Sequence, residues 1–185
     1  MGSGNMRWMV FFLVLFAGCG GMMDDLNPPA SDKHSPVPPG SPGSAVSQKA
    51  PDFTLPDTVG GSFTLSSALT TTGTQGVVLY FTMWCQSCQL DMTNIQSSFI
   101  PAFPNVRFIA VDYVSGSVAD ATQKESENGF VGSGFKVVAD TQRTVMKLYE
   151  ANMETTVVID RTGVVRMNEL YKNGARLQAV LSSLP

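Results

Sequence analysis

The sequence predicts an α/β domain in which a central mixed β-sheet is flanked by helices. Two observations lead there. From Ala50 onward, short apolar runs alternate with amphipathic stretches of helical length, the pattern of strands separated by helices. Near the C-terminus two such runs are joined directly by the turn Asp160-Arg161-Thr162-Gly163, which pairs them antiparallel and makes the sheet mixed.

The elements follow in order. Phe53-Thr54-Leu55 and Ser62-Phe63-Thr64-Leu65 alternate in hydrophobicity around Gly60-Gly61, as a short hairpin does. Val77 to Thr82 is apolar enough to be a buried strand, and Val106 to Asp112 is a second. Between them, Cys88 to Phe99 reads as a helix with Leu90, Ile95 and Phe99 on its apolar face. Ala119 to Gly129 and Thr141 to Tyr149 read as helices, the second with Val145, Leu148 and Tyr149 apolar and Asp140 as its N-cap. Thr155 to Asp160 and Val164 to Met167 are the antiparallel pair, and Ala175 to Leu184 closes the domain as a helix. The folded domain is therefore expected over residues 50–185.

What precedes it is organised differently. Arg7 is the only charge before the apolar run Trp8 to Ala17, which is short for a bilayer span and fits a secretory signal over residues 1–18. The run ends in Leu15-Phe16-Ala17-Gly18-Cys19, similar to a lipoprotein box, so Cys19 is the expected lipidation site and membrane anchor. Residues 19–49 are then a linker. Six of the 11 prolines fall between Pro28 and Pro42, and Ser and Gly supply much of the rest, so this stretch is expected to be an extended, unpacked tether. It also holds the sole histidine, His34, which makes that residue a poor candidate for catalysis. A net charge of -3 without any basic run excludes nucleic acid as a partner.

The chain has three cysteines, and if Cys19 carries lipid, Cys85 and Cys88 remain as an isolated pair. A loop this small removes little entropy from the unfolded chain, so the pair is a poor structural staple and a better redox couple. Placed between a buried strand and a helix, Cys85 falls at the helix N-terminus, where free amides and the macrodipole favour its thiolate. Cys85 is thus the expected nucleophile and Cys88 the resolving thiol, with Trp84 expected to cover the sulfurs as a flat apolar surface. Structural zinc needs two further ligands, and the domain supplies no other Cys and no His, so no resident metal and no cofactor is expected.

Ala50-Pro51-Asp52-Phe53-Thr54-Leu55, then Phe81-Thr82-Met83-Trp84-Cys85-Gln86-Ser87-Cys88, then Thr155-Thr156-Val157-Val158-Ile159-Asp160 together resemble the TlpA/ResA redoxins of the AhpC/TSA and thioredoxin-like superfamily. The resemblance spans essentially the whole domain. It implies a thioredoxin-like fold and thiol–disulfide exchange with oxidised exported proteins, apocytochrome c among them. It also implies a membrane thiol donor that regenerates the dithiol, on the periplasmic or cell-surface side of a bacterial membrane. Asp91 matches an acidic position that tunes the cysteines, and Thr155 lies in the loop facing them. Two residues depart from the pattern: Glu154 stands where such proteins carry a cis-proline, and Thr93 replaces a proline that often kinks the active-site helix. The Met153-Glu154 bond is accordingly expected to be trans, with the Glu154 carboxylate near the sulfurs and opposed to thiolate formation. A proline placed at residue 154 is expected to restore the usual loop.

Two other functions fit the same residues less well. Thr82, three residues before Cys85, suits a thiol peroxidase, but Trp84 and the neighbouring Cys88 favour disulfide exchange. The third reading is a non-enzymatic lipoprotein that uses Cys85, Cys88 and Glu154 to carry a soft metal.

Overall fold

The computed structural model describes residues 38–185. Residues 1–37, with the expected signal segment, Cys19, His34 and the start of the linker, lie outside the described residues. A hairpin opens the fold, with β1 (Thr54–Pro56) antiparallel to β2 (Ser62–Thr64), followed by α1 (Leu65–Thr70). Then come β3 (Gly76–Thr82), α2 (Gln86–Asn94), β4 (Val106–Asp112), α3 (Val118–Glu127) and β5 (Lys136–Ala139). The chain ends with α4 (Thr144–Leu148), β6 (Thr155–Asp160), β7 (Val165–Leu170) and α5 (Ala175–Ser182). Among the described residues no helix is long and apolar enough to cross a membrane.

The five-stranded sheet has the order β5-β4-β3-β6-β7. β3, β4 and β5 run parallel, whereas β6 is antiparallel to β3 and β7 to β6. The expected mixed sheet flanked by helices is therefore the observed one. β3 lies at its centre because all its side chains are buried, as the apolar run Gly76-Val77-Val78-Leu79-Tyr80-Phe81 requires. Its side chains alternate between two cores. Val78 and Tyr80 join Met92, Ile95 and Phe99 below α2 and Leu177 and Leu181 of α5. Val77, Leu79 and Phe81 join the hairpin residues Phe53, Leu55 and Phe63, with Val145 and Tyr149 of the α4 region. No buried side-chain polar atom lacks a hydrogen-bond partner among the described residues.

Four sequence expectations change. β5 and α1 were not anticipated: each is short, and Lys136-Val137-Val138-Ala139 becomes a strand only because β4 offers its free edge. On α2 the inward face is Cys88, Met92, Ile95 and Phe99, spaced i, i+4, i+7, i+11, while Leu90 is 67% exposed. The helix also changes pitch, continuing as a π-helical turn over Ile95–Phe99. Thr93 and Ser97 donate their hydroxyls to the carbonyls of Gln89 and Thr93, a back-bonding that bends helices, so the irregularity arises without a proline. Finally, α4 begins at Thr144, and Asp140 caps it from further out, its carboxylate accepting from the amides of Thr144 at 2.8 Å and Met146 at 2.7 Å. On its apolar face Val145 and Tyr149 are buried, whereas Leu148 is 38% exposed.

The tether expectation fails for residues 38–49. Ser47 donates its amide to Val165 O and Gln48 O accepts from the Val165 amide, both at 2.9 Å, and Lys49 bridges Val164 antiparallel. Asn168 Nδ2 donates to Ser44 O. The physical reason is β7: an edge strand presents unpaired amides and carbonyls, and any adjacent chain able to extend will satisfy them. Proline-rich composition forbids donation at some positions but not at Ser47 or Lys49.

Candidate active site

β3 ends at Thr82, at the C-terminal end of the central strand, and the next three residues set the site. Thr82 is fully buried, and its hydroxyl accepts from the Trp84 amide at 3.0 Å. Trp84 takes a left-handed backbone conformation, φ 61°, which turns the chain so that Cys85 becomes the N-cap of α2. Cys85 Sγ accepts from the Cys88 amide at 3.1 Å. A sulfur at this position receives the free amides and the positive end of the helix, which stabilise a thiolate once the bond is reduced.

Cys85 and Cys88 are joined as a disulfide, with their Cα atoms 5.0 Å apart. The pair is asymmetric: Cys85 is half-buried, whereas Cys88 is fully buried in the core below α2. An incoming thiolate therefore reaches Cys85 and not Cys88.

Across from the helix, the loop before β6 presents Met153 and Glu154. The Met153-Glu154 bond is trans, as no cis bond occurs among the described residues. Glu154 is left-handed, φ 66°, and its backbone is used on both sides: its amide donates to Phe81 O at 3.0 Å and its carbonyl accepts from the Tyr171 amide at 2.9 Å. The Glu154 carboxylate and both cysteine sulfurs lie within 4.8 Å of one another. The expected approach of Glu154 to the sulfurs is thus observed. Its backbone argues against the expected rescue by proline, which locks φ near −65° and has no amide to give Phe81. Thr155 is buried and braces the loop from within, its hydroxyl accepting from the Asn152 amide at 2.9 Å.

Asp91, one turn into α2, is tied to β3 by the Tyr80 hydroxyl, which donates to Oδ2 at 3.0 Å. Burial pushes the Asp91 carboxyl above its usual range and the charge of Glu154 adds to that, while the Tyr80 bond pulls the other way without cancelling them. Burial likewise raises Tyr80 far above an ordinary phenol, so it stays a donor. Asp91 and Glu154 thus form an acidic flank on the site, with Glu154 opposing the charge of Asp91.

Trp84 is a buried anchor in the same core cluster as Cys88: its indole packs on Phe130 with ring centroids 6.3 Å apart, and Nε1 donates to Asp112 Oδ2 at 2.8 Å. Asp112 was not singled out from sequence. It ends β4 beside the end of β3, is fully buried, and also accepts from the amides of Val114 and Ser115. Its position at the C-terminal end of an apolar strand was the available signal. Met153 was also missed, and its Sδ lies 3.3 Å from Cys85 Sγ.

The geometry agrees with known proteins. The model of the AhpC/TSA family matches residues 46–168. A Chlorobium tepidum structure assigned as the thiol:disulfide interchange protein DsbE is 28% identical, covering 72% of this chain and 95% of its own, with a TM-score of 0.56. A secreted Mycobacterium tuberculosis disulfide oxidoreductase homologous to E. coli DsbE shares the fold at 20% identity, covering 71% and 96%, with a TM-score of 0.54. M. tuberculosis dsbF does so at 21% identity, covering 72% and 95%, with a TM-score of 0.60. No curated protein sequence matches significantly. With a thioredoxin-like sheet, a Cys-x-x-Cys pair at the start of α2 and a family match over most of the folded residues, the chain belongs to the AhpC/TSA family, as a thiol–disulfide oxidoreductase.

Proposed function

We propose that the protein is an extracytoplasmic reductant of disulfides in exported proteins, tethered to a bacterial membrane by lipid on Cys19. The observation that carries the chemistry is the asymmetry of the pair: an accessible sulfur at the helix N-cap and a buried one behind it. In the dithiol form, the Cys85 thiolate attacks one sulfur of a substrate disulfide, forming a mixed disulfide and expelling the first substrate thiolate. Cys88 then gives up its proton and attacks Cys85 Sγ, breaking the mixed bond and releasing the second substrate thiolate. The substrate gains two electrons, the protein loses two, and a membrane thiol donor restores the dithiol. Apocytochrome c is a substrate of the right kind, being exported with cysteines that must be reduced.

Glu154 supports the reducing direction. Strong oxidants of this chemistry owe their potential to a stabilised reduced thiolate. A carboxylate within 4.8 Å of both sulfurs destabilises that thiolate, which favours the disulfide and makes the dithiol a better reductant. The likeness to a chain assigned as DsbE, and to a secreted oxidoreductase, supports placement outside the cytoplasm. Incubating Cys88→Ser with an oxidised model peptide should trap a mixed disulfide on Cys85, whereas Cys85→Ser should trap none. The measured potential should fall near thioredoxin's, about −270 mV, and a value near about −120 mV would make the protein an oxidant instead.

A further inference from the structure

We propose that the dithiol form binds one Cu(I) ion through three sulfurs, those of Cys85, Cys88 and Met153. Three observations carry this. Met153 Sδ approaches Cys85 Sγ to 3.3 Å from a loop 68 residues away in sequence, so the fold brings a thioether onto Cys85, itself bonded to Cys88. That loop is held on both sides of Met153: the Asn152 amide donates to Thr155 Oγ1, and Glu154 is bonded to Phe81 and Tyr171. The cluster is also open, with Met153 37% exposed and Cys85 half-buried, so an ion can enter.

The donor set selects the metal. Thiolates and a thioether are soft ligands that favour Cu(I), whereas zinc in a closed site takes four ligands from thiolates, imidazoles and carboxylates. Glu154 is the hard donor in this cluster, and it is the ligand that a divalent ion would recruit instead. In the disulfide form neither cysteine has a thiolate to offer. A thiol or phosphine reductant must first deliver two electrons to the Cys85–Cys88 bond, and Cu(I) then displaces the two thiol protons. Binding is therefore confined to one redox state of the site, and a bound ion occupies the sulfur that attacks substrate.

Any Cys-x-x-Cys dithiol can hold Cu(I) on two sulfurs; the third sulfur is what this loop adds, and it is what the experiment reads. The full chain, reduced with a phosphine under anaerobic conditions, is titrated with Cu(I) against a chromophoric Cu(I) chelator, and the complex is examined by X-ray absorption. One ion per chain with three Cu–S ligands is expected. Met153→Leu should lose one sulfur from the coordination shell and weaken binding by about tenfold or more, the loss typical when even a supporting group of a metal site is removed. Two Cu–S ligands in the unsubstituted protein, or a Met153→Leu complex of unchanged affinity, overturns the site. So does preference for Zn(II) with an oxygen ligand. The sulfur count on the unsubstituted protein decides the matter even if the variant misfolds. Because disulfide exchange is assayed without metal, its failure is distinguishable from failure of this site.

Discussion

Glu154 is the residue whose charge weighs most on the site, because its carboxylate and both sulfurs share a space 4.8 Å across. Glu154→Gln removes an anion beside Cys85, so the Cys85 thiol should titrate at lower pH and the reduction potential should rise; the pH dependence of alkylation rate in the reduced protein checks the first. The same substitution relieves Asp91, whose carboxyl is held high by burial and then by Glu154. Glu154→Pro should be harmful, costing about 2–4 kcal/mol, since φ 66° and the amide bond to Phe81 O are both denied to proline. Chemical denaturation measures that loss. A variant as stable as the parent would mean that the loop has rebuilt around a different backbone path.

At the scale of elements, α2 joins reactivity to packing: its N-cap is Cys85, the accessible sulfur of the pair, and its inner face is core. Met92 is fully buried, so Met92→Ala should cost about 2–5 kcal/mol, while Leu90→Ala, at a position 67% exposed, should stay within about 0.5 kcal/mol. Equal effects of the two would reverse the assignment of the helix face. Gly76 makes a parallel point in β3, since a Cβ there would meet Ile159 O of β6 at 2.6 Å. The strand pairing that centres the sheet thus depends on a glycine that composition alone does not mark.

For the whole molecule, the pH response follows from carboxyl groups whose pKa values are shifted in opposite directions. Burial alone would raise Asp52, Asp57 and Asp160, but hydrogen bonds overcome it: Ser66 and Phe53 to Asp52, Lys136 and Gly61 to Asp57, and Thr162, Val164 and Arg166 to Asp160. Their folded-state pKa values lie below the unfolded ones, so their stabilisation is present above the ordinary carboxylate range and is lost as pH falls below that range and through the lower folded-state values. Asp91, raised, acts the other way: its contribution is present in acid and is lost as pH rises through its elevated range. Between mildly acidic and neutral pH, Asp91→Asn should therefore flatten the decline in the denaturation midpoint. The segment before the hairpin gives a second test. A chain starting at residue 38 should match the full chain in stability, whereas one starting at Ala50 should lose about 1–3 kcal/mol and self-associate through the bare edge of β7.

The sequence by itself determined the α/β class, the strand that feeds the cysteines, the cysteine pair at the start of α2, and the proximity of Glu154. These rest on local signals, namely apolar runs, a tight turn and a Cys-x-x-Cys at a strand–helix junction, together with a motif resemblance. Tertiary structure alone decided the rest. β5 and the ordering of residues 38–49 exist because edge strands offer free hydrogen-bonding groups to whatever lies beside them. Trp84 is an anchor because Asp112, 28 residues away, meets its indole at the sheet's end. Met153 reaches Cys85 because β6 lies beside β3, a pairing between strands far apart in the chain. Periodicity reports which face of an element is buried, but not what stands across from it, and both residues take their roles from their neighbours in space.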